Sequence, residues 1–402
     1  MHDVKNFSLN TVSDKQVLNF LFNYAHTNGC ALAAWSLPED DNLQVIVSRQ
    51  AITAPADAPI EEMSPGFLFA PFDRSRGALF FPADHFFRLR DGKIEKSANP
   101  VEQDSLEWLE ENWSAAEKTA KQHAPFPDKK VSSLERDHYL KLVEDGLTEI
   151  EAGAFEKVVP SRCKSVELNP DFSIPDAFLK LRKDYPEAFI SLTTSPQSGT
   201  WMGASPEELV RVLDKTIFKT VALAGTQPYR EGQNLRDVSW TQKEIEEQAL
   251  VERYIISCFK KIRLREYEEH GPKTAVAGNL MHLRSEFTVN MKETNFPQLG
   301  SVMLQLLHPT SAVCGMPLTP ALEFLKSREG YDREFYSGYL GPVNIDNAIN
   351  LFVNLRCMQL IRNKAVVYAG AGVTIDSVPE KEWEETEMKM NTLLSVIDNK
   401  GK

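Results

Sequence analysis

No stretch of this chain approaches the roughly eighteen consecutive apolar residues of a membrane span, so no transmembrane helix is expected. The opening Met1-His2-Asp3-Val4-Lys5-Asn6 lacks the basic-then-apolar layout of a secretory leader. Cysteine is scarce: Cys30, Cys163, Cys258, Cys314 and Cys357 are widely scattered, odd in number and without a Cys-x-x-Cys pair. That argues against both a disulfide framework and a structural zinc site, and a reduced, cytoplasmic protein is the simple expectation. Internal repeats, low-complexity tracts and long flexible linkers are missing too. Positive charge is also in deficit, 45 Lys and Arg against 57 Asp and Glu, for a formal net charge of −12. Sequence-independent binding to nucleic acid needs the opposite balance. An anionic small-molecule ligand would therefore need local exceptions, and those exceptions are where chemistry should be sought.

What is present reads as an ordinary globular chain. Its 402 residues, 42% hydrophobic and 25% charged, can bury a large core or two modest ones. Residues 1–130 are loosely patterned, with short apolar stretches such as Leu43-Gln44-Val45-Ile46-Val47 and Ala78-Leu79-Phe80-Phe81. The Pro- and Lys-rich His123-Ala124-Pro125-Phe126-Pro127-Asp128-Lys129-Lys130 is the best candidate for a joint. A helix is predicted over 133–153, with Tyr139, Leu142, Val143, Leu147 and Ile150 at helical spacing. From Lys157 onward, strand-like runs begin at Val158, Phe189, Glu208 and Thr220, and others cover 348–357, 365–368 and 373–375. The helices between them are irregularly placed, which favours an α+β arrangement over a doubly wound parallel sheet.

Two helix starts carry paired carboxylates. Thr241-Gln242-Lys243-Glu244 has the form of a capping box, and a helix is expected to run from there to 266. Glu244 and Glu247 share a face near its N-terminal end. A second helix follows Ser377-Val378-Pro379 and puts Glu382, Glu385 and Lys389 on one stripe, with Trp383, Met390 and Leu394 on another that suits burial. Solvated helix starts, and a plain cap at Glu244, are the commoner explanation of such glutamates. The alternative is that four carboxylates converge on one hard cation such as magnesium, which commonly joins protein carboxylates to an anionic substrate. Just upstream, Tyr368-Ala369-Gly370-Ala371-Gly372-Val373 has two glycines that permit close backbone approach to an anion, or simply a tight turn.

With these features in hand, the chain resembles the chorismate-utilising enzymes: isochorismate, salicylate, anthranilate and aminodeoxychorismate synthases. The resemblance spans roughly residues 135–395 and rests on blocks in family order. The first are Phe155-Glu156-Lys157-Val158-Val159-Pro160-Ser161-Arg162, Gly203-Ala204-Ser205-Pro206-Glu207 and Leu223-Ala224-Gly225-Thr226. Leu307-His308-Pro309-Thr310-Ser311-Ala312-Val313-Cys314-Gly315, Asp332-Arg333-Glu334-Phe335-Tyr336-Ser337-Gly338, the glycine pair and Glu382-Trp383-Glu384-Glu385-Thr386 follow. It implies a single α+β domain, a central pair of β-sheets flanked by helices. Residues 1–130 would be the N-terminal part of that domain, without motifs, and 131–402 the chorismate-binding catalytic portion.

The resemblance also implies roles. Water attacks ring carbon C2 of chorismate while the C4 hydroxyl leaves, which calls for a base and an acid. Lys157 matches the base, a task open to a lysine only when its surroundings let it release its proton. Glu207 matches the acid and would need a raised pKa. Glu247 and Glu385 match magnesium ligands, with Glu244 and Glu382 supporting through water. Arg356, Tyr336 and the amides of Gly370 and Gly372 fit the enolpyruvyl carboxylate, the arginine by its planar fork. Lys389 could add positive charge near the ring carboxylate. Thr226 and His282 match positions beside the reacting carbons, though each also reads as a structural residue.

Three positions discriminate within the family. Anthranilate synthases carry glutamine where Lys157 stands, so Lys157 points to water. Aminodeoxychorismate synthases place a nucleophilic lysine where this chain has Ala224. Salicylate synthases usually have threonine where it has Ala312, and Ala312 favours stopping at isochorismate. Pro160 and Gln248 depart from the isochorismate group, where leucine and histidine are common. The expected activity is thus magnesium-dependent isochorismate synthesis, serving menaquinone or siderophore formation. A salicylate synthase that also eliminates pyruvate and a non-catalytic chorismate-binding homologue are the alternatives. A monomer is expected, without a glutamine amidotransferase subunit.

Overall fold

In the strand Ala31–Ser36 successive side chains leave on opposite faces. Ala31, Ala33 and Trp35 enter one buried cluster, and Leu32 and Ala34 enter another. Every position is buried, as it is along Leu43–Ser48, Gly66–Ala70, Phe189–Ser195 and Gly199–Ser205. Strands covered on both sides have no polar face to alternate with. That is why the first third of the sequence shows short apolar runs and little periodicity.

The computed structural model describes residues 12–55, 57–90, 93–94, 100–116, 133, 135–230, 232–277 and 280–397; the segment 123–130, expected to be a joint, lies outside them. Among the described residues the strands form two nine-stranded sheets, antiparallel throughout, and a two-stranded pair. The first sheet runs Lys93–Ile94, His85–Arg90, Leu43–Ser48, Ala31–Ser36, Phe189–Ser195, Gly199–Ser205, Cys357–Ile361, Lys364–Gly370, Ser161–Glu167. The second runs Glu268–Ala277, Leu280–Asn290, Ile217–Pro228, Glu208–Leu213, Ala348–Val353, Tyr339–Ile345, Gly66–Ala70, Ala78–Pro82, Ile52–Ala54. Strands from before residue 95 thus complete one end of each sheet.

The sheets face each other across an aromatic layer that includes Trp35, Phe67, Phe69, Phe81, Phe189, Trp201 and Phe352. The Phe189 and Phe352 rings stack at 4.2 Å, one from each sheet. On the outside of the first sheet lie the helices Asp14–Asn28, Pro100–Ala116, Ile174–Asp184 and Pro379–Ile397; on the outside of the second lie Arg136–Glu151, Gln242–Lys261, Leu299–Leu307 and Leu318–Arg328. The result is an α+β fold of four layers, helix–sheet–sheet–helix. No described helix is long and apolar enough to cross a membrane.

Several expectations are corrected. The strand expected over 348–357 is two strands, Ala348–Val353 in the second sheet and Cys357–Ile361 in the first, because the chain crosses between sheets at 354–356. The strand expected at 373–375 reduces to a bridge between Val373 and Val158. The helix expected to reach 266 ends at Lys261, where Arg263 turns to φ 59°. On the last helix Met390 is buried as expected, but Glu382, Thr386 and Leu393 are buried with it, while Trp383 and Leu394 are only half-buried.

Candidate active site

Two chain segments pass from one sheet to the other, and they lie side by side. The first joins Gly199–Ser205 to Glu208–Leu213 through Pro206 and Glu207; the second joins Ala348–Val353 to Cys357–Ile361 through Asn354, Leu355 and Arg356. Each segment hydrogen-bonds the other: the Val353 amide donates to the Glu207 carbonyl at 3.0 Å, and the Ala204 amide to the Arg356 carbonyl at 3.0 Å. Glu207 and Arg356, 149 positions apart in sequence (356 minus 207), are therefore held together by backbone. Arg356 has φ 45°, a left-handed conformation that costs a non-glycine residue energy and is concentrated at functional positions.

A partly enclosed chamber opens beside them. Of the residues assigned from sequence, Glu207, Thr226, Glu247, His282, Ala312, Tyr336, Arg356, Gly370, Gly372 and Lys389 line it; Lys157, Glu244, Glu382 and Glu385 do not. Arg356 and Lys389 make one part of its wall cationic despite the chain's net charge of −12. Burial lowers the Arg356 guanidinium to about 10, partly offset by the charge of Glu385, so it stays charged at neutral pH. Lys389 Nζ donates to the Gly370 carbonyl at 2.9 Å and pairs with Glu385 at 2.7 Å.

Glu207 is 6% exposed, and burial raises its carboxyl from 4.5 to about 7, against the opposing effects of Thr310, Lys157 and Lys389. The Thr310 hydroxyl donates to its Oε1 at 3.3 Å, which leaves Oε2 to carry a proton. This is the environment that keeps a carboxylic acid able to donate near neutrality. His282, on the strand Leu280–Asn290, has Nδ1 2.7 Å from the Gly225 carbonyl, while its buried Nε2 has no hydrogen-bond partner. Burial, helped by the charge of Arg356, lowers it to about 3.

Lys157 lies just behind the chamber. It pairs with Met316 in a two-stranded ribbon so tight that a Cβ on Gly315 would fall 2.3 Å from the Lys157 carbonyl oxygen, and Gly315 adopts φ 144°. The Lys157 side chain is fully buried and donates to Glu247 Oε1 at 2.8 Å. Gly372 makes room for this pair: a Cβ there would meet Glu247 Oε1 at 2.5 Å and Lys157 Cε at 3.0 Å. Burial raises the Glu247 carboxyl, but the nearby charge of Lys157, then Lys389 and Lys243, outweighs it, and the net direction is down.

The remaining glutamates come from the two helix starts. The helix Gln242–Lys261 is opened by a full capping box in which Glu244 accepts from the Thr241 amide at 2.7 Å; Glu244 also accepts from Gln227 at 2.9 Å. Glu244 thus caps the helix. Glu382 is completely buried, which pushes its carboxyl up, as does the charge of Glu385. One Glu382 oxygen accepts from Lys243, while Oε2, near Ser377, lacks a hydrogen bond of good geometry. Among the described residues the acidic groups do not form one cluster shaped around a metal. Instead the Lys243 ammonium stands among them: burial lowers it, but Glu382, Glu385 and Glu247 together raise it above the ordinary lysine value. Carboxylate oxygens are the ligand type a hard cation takes, and Glu382 Oε2 has capacity to spare, while Glu247, Glu382 and Glu385 are each paired with a lysine.

Sequence reasoning gave no role to Thr310, Lys243 or the pair Glu329–Arg333. Arg333 donates to Glu329 at 2.7 and 2.6 Å and to the carbonyls of Val159 and Val313 at 2.8 Å each, and Glu329 accepts from the Ser161 amide at 2.7 Å. This buried pair clamps the segment after Lys157 to the segment after Ala312. Arg162 does the same for the last helix, with Nε on Thr386 at 2.7 Å and its guanidinium 3.6 Å over the Trp383 ring. Thr310 and Arg333 stood inside family blocks and Lys243 inside the capping box, but nothing local marked the pairing of Lys243 with Glu382, which comes from the last helix.

The family model described as chorismate binding enzyme matches residues 87–398. The chain is 26% identical over 353 residues to isochorismate synthase EntC of Escherichia coli strain K12, covering 82% of this chain and 86% of that protein. It is 30% identical over 268 residues to a salicylate synthase of Mycolicibacterium paratuberculosis, covering 64% and 57%. Among solved structures, the menaquinone-specific isochorismate synthase MenF of Escherichia coli superposes with a TM-score of 0.71 at 21% identity, over 92% of this chain and 89% of that one, a likeness of fold.

Proposed function

Because this chain belongs to the chorismate-binding enzymes, we propose that it is a magnesium-dependent isochorismate synthase, with Lys157 as base and Glu207 as acid. The observation that carries this reading is Glu207. Its carboxyl, raised to about 7 by burial, borders the same chamber as the cationic Arg356 and Lys389. A neutral acid beside fixed positive charge is what loss of a hydroxyl from a dianionic ring requires.

In the proposed reaction Arg356, Tyr336 and the Gly370 and Gly372 amides hold the enolpyruvyl carboxylate. Lys389 adds positive charge near the ring carboxylate. Thr226 orients groups at the C4 hydroxyl. Glu247 and Glu385 would hold the magnesium, with Glu244 and Glu382 assisting through water. When bound, the ion supplies charge neutralisation and a fixed position for the ring carboxylate. Lys157 takes a proton from water as the water oxygen bonds to C2. Glu207 gives its proton to the C4 oxygen as the C4–O bond breaks, and water departs.

Relatives named as isochorismate synthases and as a salicylate synthase both match. Ala312 is the residue on which the choice rests, since threonine there would add a polar group near the enolpyruvyl ether and favour pyruvate loss. Incubation of the purified protein with chorismate and magnesium, followed by product separation, tests the assignment. Isochorismate as the main product is expected; salicylate with pyruvate would move the chain to the second reading, and no turnover would leave a binding homologue. Its place is in menaquinone or siderophore synthesis, whichever the neighbouring genes serve.

A further inference from the structure

Thr310 stands on backbone that remote parts of the molecule hold in place. It follows the helix Leu299–Leu307, and guanidinium groups hold the chain on either side of it. Arg74 Nη1 donates to the carbonyls of Gln305 at 2.6 Å and His308 at 3.1 Å, and Arg333 Nη1 donates to that of Val313 at 2.8 Å. The Thr310 carbonyl accepts from the amides of Val313 and Cys314 at 3.1 and 2.9 Å. The residue is 7% exposed and is not part of the chamber wall. Its hydroxyl donates to Glu207 Oε1 at 3.3 Å, its one hydrogen-bond partner among the described residues.

A buried hydroxyl hydrogen needs an acceptor, and leaving it without one is costly. A proton on Oε1 would take that acceptor from Thr310, so the acid carries its proton on Oε2. The Thr310 bond then serves both forms of Glu207 and needs no rearrangement when the proton leaves. It also strengthens at that moment, since a hydrogen bond to an ionised acceptor is roughly twice as strong as one to a neutral acceptor. We infer that Thr310 is the positioning residue of the acid, holding Oε1 through the proton transfer and stabilising the carboxylate that the transfer leaves. This deepens the proposed function and rests on it. In that step the Oε2–H bond breaks, its electron pair stays on Glu207, and the proton goes to the C4 oxygen as the C4–O bond breaks. That oxygen keeps its own hydrogen and leaves as water, while the water bonding to C2 gives one proton to Lys157. Lys157 from the two-stranded ribbon and Lys389 from the last helix favour the same carboxylate. Arg356, Glu247 and a neutral His282, lowered to about 3, border the same chamber. None of these changes when Thr310 is replaced, so its share is read by difference.

The test is kcat against pH for wild-type protein, Thr310→Val and Thr310→Ser. Valine keeps the shape of threonine and removes the donor. Below the alkaline limb Thr310→Val should lose roughly tenfold in kcat, with KM for chorismate unchanged. Its limb should move to higher pH by roughly half a unit to one unit, the worth of one net hydrogen bond. Thr310→Ser keeps the hydroxyl and should restore both. A limb at the wild-type position in Thr310→Val would reject the positioning role. A limb moved to lower pH would reject it too, because the hydroxyl would then be accepting from the acid. Thr310→Cys, a weak donor, should move the limb in the same direction by less, and it stands in if the valine variant does not fold. The Glu207 carboxyl can also be titrated without chorismate, by carbon NMR of glutamate-labelled protein, its signal assigned by its loss in Glu207→Gln. Identical titrations in wild type and Thr310→Val would overturn the inference. Wild-type protein that shows the expected difference from Thr310→Val, yet turns over no chorismate, would fail the proposed function and leave the Thr310 contact standing.

Discussion

With its carboxyl raised to about 7, Glu207 ties activity and stability to one side chain. The reaction draws on the protonated form, so the rate should fall as pH rises through about 7. Glu207→Gln should lose roughly 10²–10⁴-fold in kcat, the usual worth of a general acid, and lose that pH limb with it. Stability follows the same sign. A carboxyl raised above its ordinary 4.5 stabilises the fold fully below that value and loses the contribution as pH climbs through 7. A rise of this size corresponds to roughly 3 kcal/mol. Urea unfolding at pH 5 and pH 8 should show that slope in the wild type and a shallower one in Glu207→Gln. Lys157→Gln tests the opposite end of the reaction: isochorismate formation should vanish, with slow amination at high ammonia, and normal isochorismate output would remove Lys157 from its role. The identity of these two residues was legible in the sequence, in motif blocks fifty positions apart. Their environment was not. Glu382 looked like a solvated glutamate at a helix start, yet it is entirely buried, on the face of the last helix that also buries Thr386, Met390 and Leu393.

At the scale of elements, the site is held by buried charge. Removing one partner of a buried ion pair leaves the other uncompensated, at a cost of roughly 3–5 kcal/mol. Arg333→Met should therefore lower the denaturation midpoint strongly, and adding Glu329→Gln should recover much of the loss. Equal midpoints for single and double variants would show that the pair does not act as a unit. The helix starts Gln242–Lys261 and Pro379–Ile397 make a second prediction. Three lysines, Lys157, Lys243 and Lys389, neutralise Glu247, Glu382 and Glu385. Magnesium must displace or share with them, and by mass action it should raise the thermal midpoint, by the equivalent of roughly 2.7 kcal/mol at a hundredfold excess over its dissociation constant. Glu385→Ala should abolish that rise while keeping the metal-free midpoint near wild type. A full magnesium response in Glu385→Ala would contradict its assignment as a ligand. Helix starts and caps were readable from local sequence; which lysine meets which glutamate was not, because each contact crosses between elements remote in the chain.

At the scale of the whole molecule, the two sheets are what bring the acid Glu207 and the cation Arg356 together. Glu207 and Arg356 sit in neighbouring crossovers between sheets, and sheet crossovers are set by non-local pairing that no local pattern encodes. The apolar strands of the first third read as patternless for the same reason: a strand packed on both faces shows no alternation. The irregular placement of helices between strands already favoured the α+β class, and the family's blocks added its central pair of sheets. The central claim, that water attacks C2 and the C4 hydroxyl departs, is tested most directly by running the reaction with chorismate and magnesium in oxygen-18 water and locating the label. Isochorismate carrying one heavy oxygen, at C2, is predicted. Unlabelled isochorismate would mean that the hydroxyl moves within the molecule, and would contradict the account.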